Sequence, residues 1–227
     1  MAVSVKGAHV PQENILTGIR WYVAYPLSPC HVEELMEERG GEVDHSTMHR
    51  WVVKYRLQLG EAFHRRKRAV GRSWRMDETS IKLNGAGSSL DRAVEKSGQT
   101  LDCRLTRQRD EPAAKRFLTQ AIRRHGVPAQ ITLDGSEANA AAIRSEKAAH
   151  GTAIDLRQIK YRNHIIAQDH RGVKRVTRPM RGVKSVVAAQ DTLAGIALMH
   201  RIKKGQMVVE DGAEGLTPAE QFYALAA

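Results

Sequence analysis

The sequence predicts a mixed α/β domain of moderate size that is preceded by a small all-helical domain. A change of periodicity near residue 73 is the main indication. Before it, apolar residues recur every three or four positions, as in amphipathic helices; after it, three short extended stretches are followed by alternating helical and extended segments. The length of 227 residues accommodates one mid-sized domain and one small domain.

Three helices are predicted in the first part of the chain, over residues 13–25, 31–40 and 45–55. The third has an apolar stripe formed by Met48, Trp51, Val52 and Tyr55, and Asp44 or Ser46 can cap its first turn. Its opposite face is polar and basic, with Ser46, His49, Arg50 and Lys54. Two helices joined by a glycine turn, the second basic on its free face, are typical of a helix-turn-helix that enters the major groove of DNA. An ordinary helical hairpin is the alternative.

The second part of the chain has the pattern of a ribonuclease-H-like domain. Three strands in a meander are predicted over residues 74–83, 88–94 and 100–106, and they are followed by a helix, a strand, a helix, a strand and a helix over residues 111–176. A further amphipathic helix, residues 185–203, is expected to pack on the sheet, with an interface role as the alternative.

These patterns predict four regions along the chain. They are a helix-turn-helix domain over residues 1–60, a basic linker over 61–72, a ribonuclease-H-like catalytic domain over 73–204 and a C-terminal tail over 205–227. The linker contains Arg65 and Arg66 and is interpreted as a segment that lies along DNA, or as a solvated helix end.

The charge of the chain indicates a polyanionic partner. Lysine and arginine number 36 against 25 acidic residues, a formal charge of +11. Residues 157–184 alone contain nine basic side chains and one carboxylate, a density typical of a surface that binds a phosphate backbone. The two cysteines, Cys30 and Cys103, lie far apart and predict neither a disulfide framework nor a zinc site. No apolar run approaches the ~20 residues that cross a bilayer, so a cytoplasmic, nucleoid-associated protein is expected.

Two aspartates occupy positions suited to metal chemistry. In a sheet of this kind, a carboxylate in the middle of the first strand and one at the end of the fourth lie side by side, and Asp77 and Asp134 have these positions. Carboxylate oxygens suit Mg²⁺ or Mn²⁺, and a pair of such ions can activate a water or a 3′-hydroxyl and stabilise the leaving oxygen. Taken singly, Asp77 is also compatible with a turn acid and Asp134 with a helix cap.

Several motifs resemble one family collinearly from Tyr22 to Met207. They are VDHSTMHRWV, WRMDET, ITLDGSEAN, RQIKYRN, DHRGVKR, RGVKS and LAGIALMHRIKKGQ. Together they resemble the short, cointegrate-forming DDE transposases of bacterial and archaeal insertion sequences, which combine a helix-turn-helix with an integrase-like core. The resemblance implies catalytic acids at Asp77, Asp134 and the residue three before His170. It also implies binding of double-stranded DNA, both terminal inverted repeats and target DNA, by a homodimer or higher multimer.

The third acid of that family is replaced here by Ala167. Alanine offers no metal ligand, so a weakened two-ion site and impaired strand transfer are expected. Asp169 is the nearest acid, but two helical residues turn it by about 200°, and we expect it to satisfy a buried partner instead. Gly135, after the second aspartate, and Asp91, after the first strand, are further departures from the family pattern.

DNA contacts are predicted on both parts of the chain. The residues are Ser46, His49, Arg50, Lys54, Arg65, Arg66, Arg162, His170, Lys174 and Arg175. For His170, a contact with DNA is favoured over metal ligation. The alternative functions are a DNA-binding regulator that uses the second domain for oligomerisation, and a stand-alone nuclease of the same fold.

Overall fold

A computed structural model describes residues 10–83, 86–159, 164–180, 186–208 and 215–226. The chain forms two compact units. One is Ala69–Gly172, and the other combines Met1–Arg68 with Val173–Ala227. No helix within the described ranges is both long enough and apolar enough to span a membrane.

The helical unit begins with α1 (Gln12–Ala24), α2 (Pro29–Glu37) and α3 (His45–Arg65), which contact one another. Asp44 caps α3, because its side chain accepts hydrogen bonds from the backbone N–H groups of Ser46 and Thr47.

Helix α3 is longer than the sequence pattern predicted. It continues to Arg65 instead of ending at residue 55, because Leu59, Ala62 and Phe63 extend its buried stripe. The first residues of the predicted linker at 61–72 are therefore helical. The connection between α2 and α3, residues 38–44, is longer than the three to four residues of a typical helix-turn-helix, and it contains Gly40 at φ 73°.

Helix α7 (Val186–Lys203) belongs to the helical unit, where its contacts are chiefly with α1 and α3. Gly195 allows the close approach, since a Cβ atom there would lie 2.8 Å from Cγ1 of Val23. An ion pair of 2.7 Å between Arg56 Nε and Asp191 Oδ1 joins α3 to α7. The expected packing of this helix on the sheet is therefore corrected: its periodicity identified a buried face but not the partner of that face.

The C-terminal residues complete the same unit. Helix α8 (Pro218–Tyr223) starts with a capping box of Thr217 and Glu220 and is followed by a 3₁₀ turn, Ala224–Ala226. The hydroxyl of Tyr223 lies 3.1 Å from Oγ1 of Thr17 on α1, and Phe222 is fully buried. The predicted regions 73–204 and 205–227 thus differ from the compact units, because both α7 and the C-terminal segment pack with the N-terminal helices.

The second unit contains a mixed sheet of five strands. They are β1 (Ser73–Leu83), β2 (Ala86–Glu95), β3 (Thr100–Thr106), β4 (Gln130–Leu133) and β5 (Asp155–Gln158), in the order β3-β2-β1-β4-β5. The first three strands are antiparallel, whereas β4 is parallel to both β1 and β5. With helices α4 (Glu111–His125), α5 (Glu137–His150) and α6 (His164–Thr177), this topology confirms the predicted ribonuclease-H-like α/β fold.

The two faces of the sheet have different roles. Trp74 and Met76 of β1 and Leu133 of β4 form a core with Phe117 of α4 and Ile143 of α5. Successive side chains of a strand point to opposite faces. The residue after Met76 is therefore directed away from this core.

Candidate functional site

Asp77 lies within β1, and Asp134 directly follows the neighbouring parallel strand β4. The registered pairing of β1 with β4 ends at Met76 and Leu133, and each aspartate is the following residue. Neighbouring strands run about 5 Å apart, so the two backbones present their carboxylates at one point of the sheet. Asp134 is exposed, and the side chain of Asp77 retains 26% of its accessible surface.

Helix α6 approaches β1 through His170. The imidazole Nε2 lies 3.3 Å from Oδ2 of Asp77, within ion-pair distance but without the alignment of a hydrogen bond. His170 is 5% exposed. In this structure its partner is thus a carboxylate of the sheet, and its burial leaves little surface for the DNA contact that the sequence predicted.

Ala167 lies one helical turn before His170 on the same face of α6. Positions three apart on a helix are neighbours, so the face that contains Ala167 is the one turned toward Asp77. The side chain at this position is a methyl group, which has no oxygen to offer a metal ion.

Asp169 occupies a different face of α6 and is bound to two buried partners. Its Oδ2 accepts hydrogen bonds from Nη2 of Arg92 and, at 3.2 Å, from Oγ1 of Thr100. The guanidinium of Arg92 is completely buried, and Asp169 is 3% exposed. The prediction that Asp169 satisfies a buried partner is confirmed. Arg92 itself was not predicted, because its neighbours in β2 include Asp91 and two serines and do not mark it as a buried charge.

The carboxylates fit one divalent ion better than two. Over the described ranges, no three His, Cys, Asp or Glu side chains are grouped as a metal site. Magnesium is commonly held by one or two carboxylates together with water and substrate phosphate, which Asp77 and Asp134 could provide. A second ion lacks a protein ligand at position 167.

A second acidic pair lies beside the site, on the opposite face of the sheet. Glu78 pairs with Asp91 across β1 and β2; its Oε1 accepts a hydrogen bond from Ser89, and its Oε2 lies 2.7 Å from Nε of Arg109. Burial, and next the charge of Glu78, raise the pKa of Asp91 to about 7. Asp91 of β2 thus forms a buried acid pair with Glu78 of β1. From the sequence it was only a departure from the family pattern.

The predicted DNA-contacting residues of α3 lie on its accessible face. Ser46, Arg50 and Lys54 are exposed, and His49 is half-buried. Some of their polar atoms bind within the helix: Ser46 donates to Asp44, and Arg50 donates to Oγ1 of Thr47 at 2.7 Å. The ammonium group of Lys54 lies 5.1 Å from the ring centre of Tyr55.

The remaining predicted DNA contacts have varied surroundings. Arg65 and Arg175 are exposed, and Lys174 is half-buried. Arg66 donates from Nη1 to the carbonyl of Ala224 at 2.5 Å, so its guanidinium serves the packing of the C-terminal turn. Arg162 lies outside the described residues.

The matching family model and the similar proteins of known family agree on one family. The DDE domain model of IS240-type transposases matches residues 71–206. The transposase for insertion sequence-like element IS431mec of Staphylococcus aureus is 34% identical over 195 residues, 85% of each chain. The transposase for insertion sequence element IS257 in transposon Tn4003, also of S. aureus, has the same identity and coverage. Among solved structures, the magnesium complex of the HTLV-2 integrase catalytic core (trimeric form) has a TM-score of 0.48 and 14% identity, covering 71% of this chain and all of that one.

Replacement of Asp169 by alanine is expected to destabilise the protein by about 3–5 kcal/mol, because it leaves the Arg92 guanidinium buried and unpaired. Urea denaturation would measure the loss, with the exposed neighbour Gln168→Ala as the matched control. The double variant R92M/D169L should recover most of the loss, since it removes both charges. If Asp169→Ala is as stable as the control, the ion pair does not hold α6 on the sheet.

Asp91→Asn is expected to stabilise the protein at neutral pH. The pKa of Asp91 rises on folding from 3.8 to about 7, so the folded protein retains a proton that the unfolded chain releases in this range. Stability therefore falls as pH increases from about 4 to about 7, by at most about 4 kcal/mol. Asparagine resembles the protonated acid and should remove this slope.

Melting temperatures of parent and Asp91→Asn protein between pH 4 and 8 would test this expectation. The two curves should meet near pH 4 and diverge above it, whereas the exposed control Glu137→Gln should follow the parent throughout. Parallel curves for parent and Asp91→Asn would contradict the raised pKa.

Proposed function

Since this chain belongs to the DDE transposases of insertion sequences, we propose that it binds the terminal inverted repeats of its own element and has an impaired centre for DNA strand cleavage and joining. The family match favours this function over a DNA-binding regulator. Asp77 and Asp134 are the proposed catalytic acids, and Ala167 is the position of the missing third.

The observation that carries the proposal is the arrangement of α6 over β1. The contact between His170 and Asp77 directs the face with Ala167 toward the two aspartates. Asp169 cannot replace the missing acid without leaving Arg92, which has no exposed surface. The core therefore has two of the three acidic ligands and no substitute for the third on α6.

Divalent metal chemistry is part of the proposal. Asp77 and Asp134 would hold Mg²⁺ or Mn²⁺, which supplies Lewis-acid stabilisation of phosphate oxygens when bound. The residues of the chain have the separate task of aligning a DNA strand with these carboxylates. His170, in contact with Asp77, is placed to fix the orientation of that side chain.

Recognition of the DNA ends is proposed for residues 30–55, with α3 as the recognition helix. His49, Arg50 and Lys54 lie on its accessible side, whereas Met48 and Trp51 face the interior. A basic helix face of this kind suits the major groove and its flanking phosphates.

Ala167→Glu is expected to increase magnesium-dependent joining of a terminal-repeat DNA by roughly tenfold or more, because it adds a carboxylate to the metal-facing side of α6. A factor of this size is a lower bound, since groups that only support metal ligands contribute about 10–100-fold. The measurement is a strand-transfer assay on purified full-length protein.

Ala167→Gln is the matched control, because it adds nearly the same volume without the charge. Asp77→Ala in the Ala167→Glu background should remove the gain. Position 167 does not explain the impaired joining if two results are found together. Ala167→Glu joins DNA no faster than the parent, and addition of Mg²⁺ raises its melting temperature no more than that of the parent.

Lys54→Ala is expected to weaken binding of a DNA duplex that contains the flanking inverted repeat. Because one phosphate contact is lost, the slope of log K against log salt concentration should decrease in magnitude by about one unit. Fluorescence anisotropy at several salt concentrations would measure both quantities. Lys147→Ala, an exposed lysine on α5, is the control. Equal effects of the two substitutions would argue against α3 as the DNA-contacting helix.

A further inference from the structure

A basic groove runs along the outer face of α4. Its volume is about 710 Å³, and it is lined by five cationic side chains: Arg104 of β3 and Lys115, Arg116, Arg123 and Arg124 of α4. None of the described residues that line it is a carboxylate. The sequence pattern of this helix indicated only its place in the fold.

The groove follows from the division of α4 into a buried and an exposed side. Ala114, Phe117, Leu118 and Ala121 are buried against the sheet and α5. Arg116 and Arg123 are seven residues apart, about two helical turns, and therefore share the exposed side. They are separated by about 10 Å along the helix axis, which matches about three nucleotides along a DNA strand.

Two of the cations that line the groove bind other residues of the protein, and two are exposed. Arg124 is paired with the buried Asp102 at 2.7 Å, and the ammonium group of Lys115 donates to Oγ of Ser145 at 2.9 Å. Arg116 and Arg123 are exposed, and neither has an ion-pair partner among the residues that the structure describes. A structural role explains Lys115 and Arg124, but not Arg116 and Arg123.

We propose that this groove is a second binding surface for duplex DNA. It contacts the phosphate backbone and does not depend on the base sequence. The choice of duplex DNA rests on the proposed function, and the phosphate chemistry follows from the cations themselves. A second copy of this chain is a poor occupant, because a two-fold contact would place the same cations against each other.

The surface is separate from the catalytic carboxylates. Helix α4 covers the face of the sheet that contains Trp74 and Met76, whereas Asp77 and its contact with His170 lie on the other face. DNA held on α4 is therefore a different segment from the one at Asp77 and Asp134. Such a contact would hold flanking or target DNA while an end occupies the catalytic face.

The test is charge reversal at the two exposed arginines in the full-length protein. R116E/R123E should bind a 30-bp duplex of scrambled sequence at least about tenfold more weakly near 100 mM salt, and the salt dependence of log K should decrease by about two units. R144E/K147E changes the net charge equally on the exposed face of α5 and is the matched control. Its affinity should stay within about twofold of the parent.

Thermal unfolding of each variant separates binding from folding, since both pairs are exposed. Parent-like affinity and salt dependence of a folded R116E/R123E, or an equal loss in R144E/K147E, would overturn the proposal. So would a change in oligomeric state with DNA binding intact, which would indicate a protein interface. Scrambled DNA is used because its binding does not depend on terminal-repeat recognition by α3; the groove can thus be supported even if Lys54→Ala shows the proposed recognition helix to be wrong.

Discussion

The buried ion pair between Arg92 and Asp169 constrains the face of the sheet that contains Asp77. Arg92 has no exposed surface and lies on β2, directly opposite Asp77 in the register of β1 and β2. A buried guanidinium requires a counter-charge, and the carboxylate of Asp169 provides it from α6. This pair sets which face of α6 is turned toward the sheet, and with it the positions of Ala167 and His170.

Under the proposed function, the same constraint explains why no acid of α6 replaces the ligand proposed to be missing at position 167. A rotation of the helix that brought Asp169 toward Asp77 would leave a full positive charge in the interior. His170 occupies the approach to Asp77 instead. The loss of a ligand that we propose at position 167 is therefore local and leaves the arrangement of sheet and helix unchanged.

The helical unit illustrates how distant parts of a chain share one core. Residues before Arg68 and after Val173 form it together, and the C-terminal turn is held by Arg66 and by the Tyr223 contact with Thr17. Basic residues near the end of α3 consequently have two kinds of role. Arg66 supports packing, whereas Arg65 is exposed, as its proposed contact with DNA requires.

The sequence by itself determined the secondary structure of the α/β domain, the positions of Asp77 and Asp134 at strand sites and the absence of an acid at position 167. These follow from periodicity, turn residues and motif spacing, which are local properties of the chain. Only the tertiary structure decided that α7 packs with α1 and α3, that Arg92 is the partner of Asp169, and that Asp91 faces Glu78. Each depends on which buried surface or charge meets which partner, and an amphipathic pattern or a single charged residue does not specify that partner.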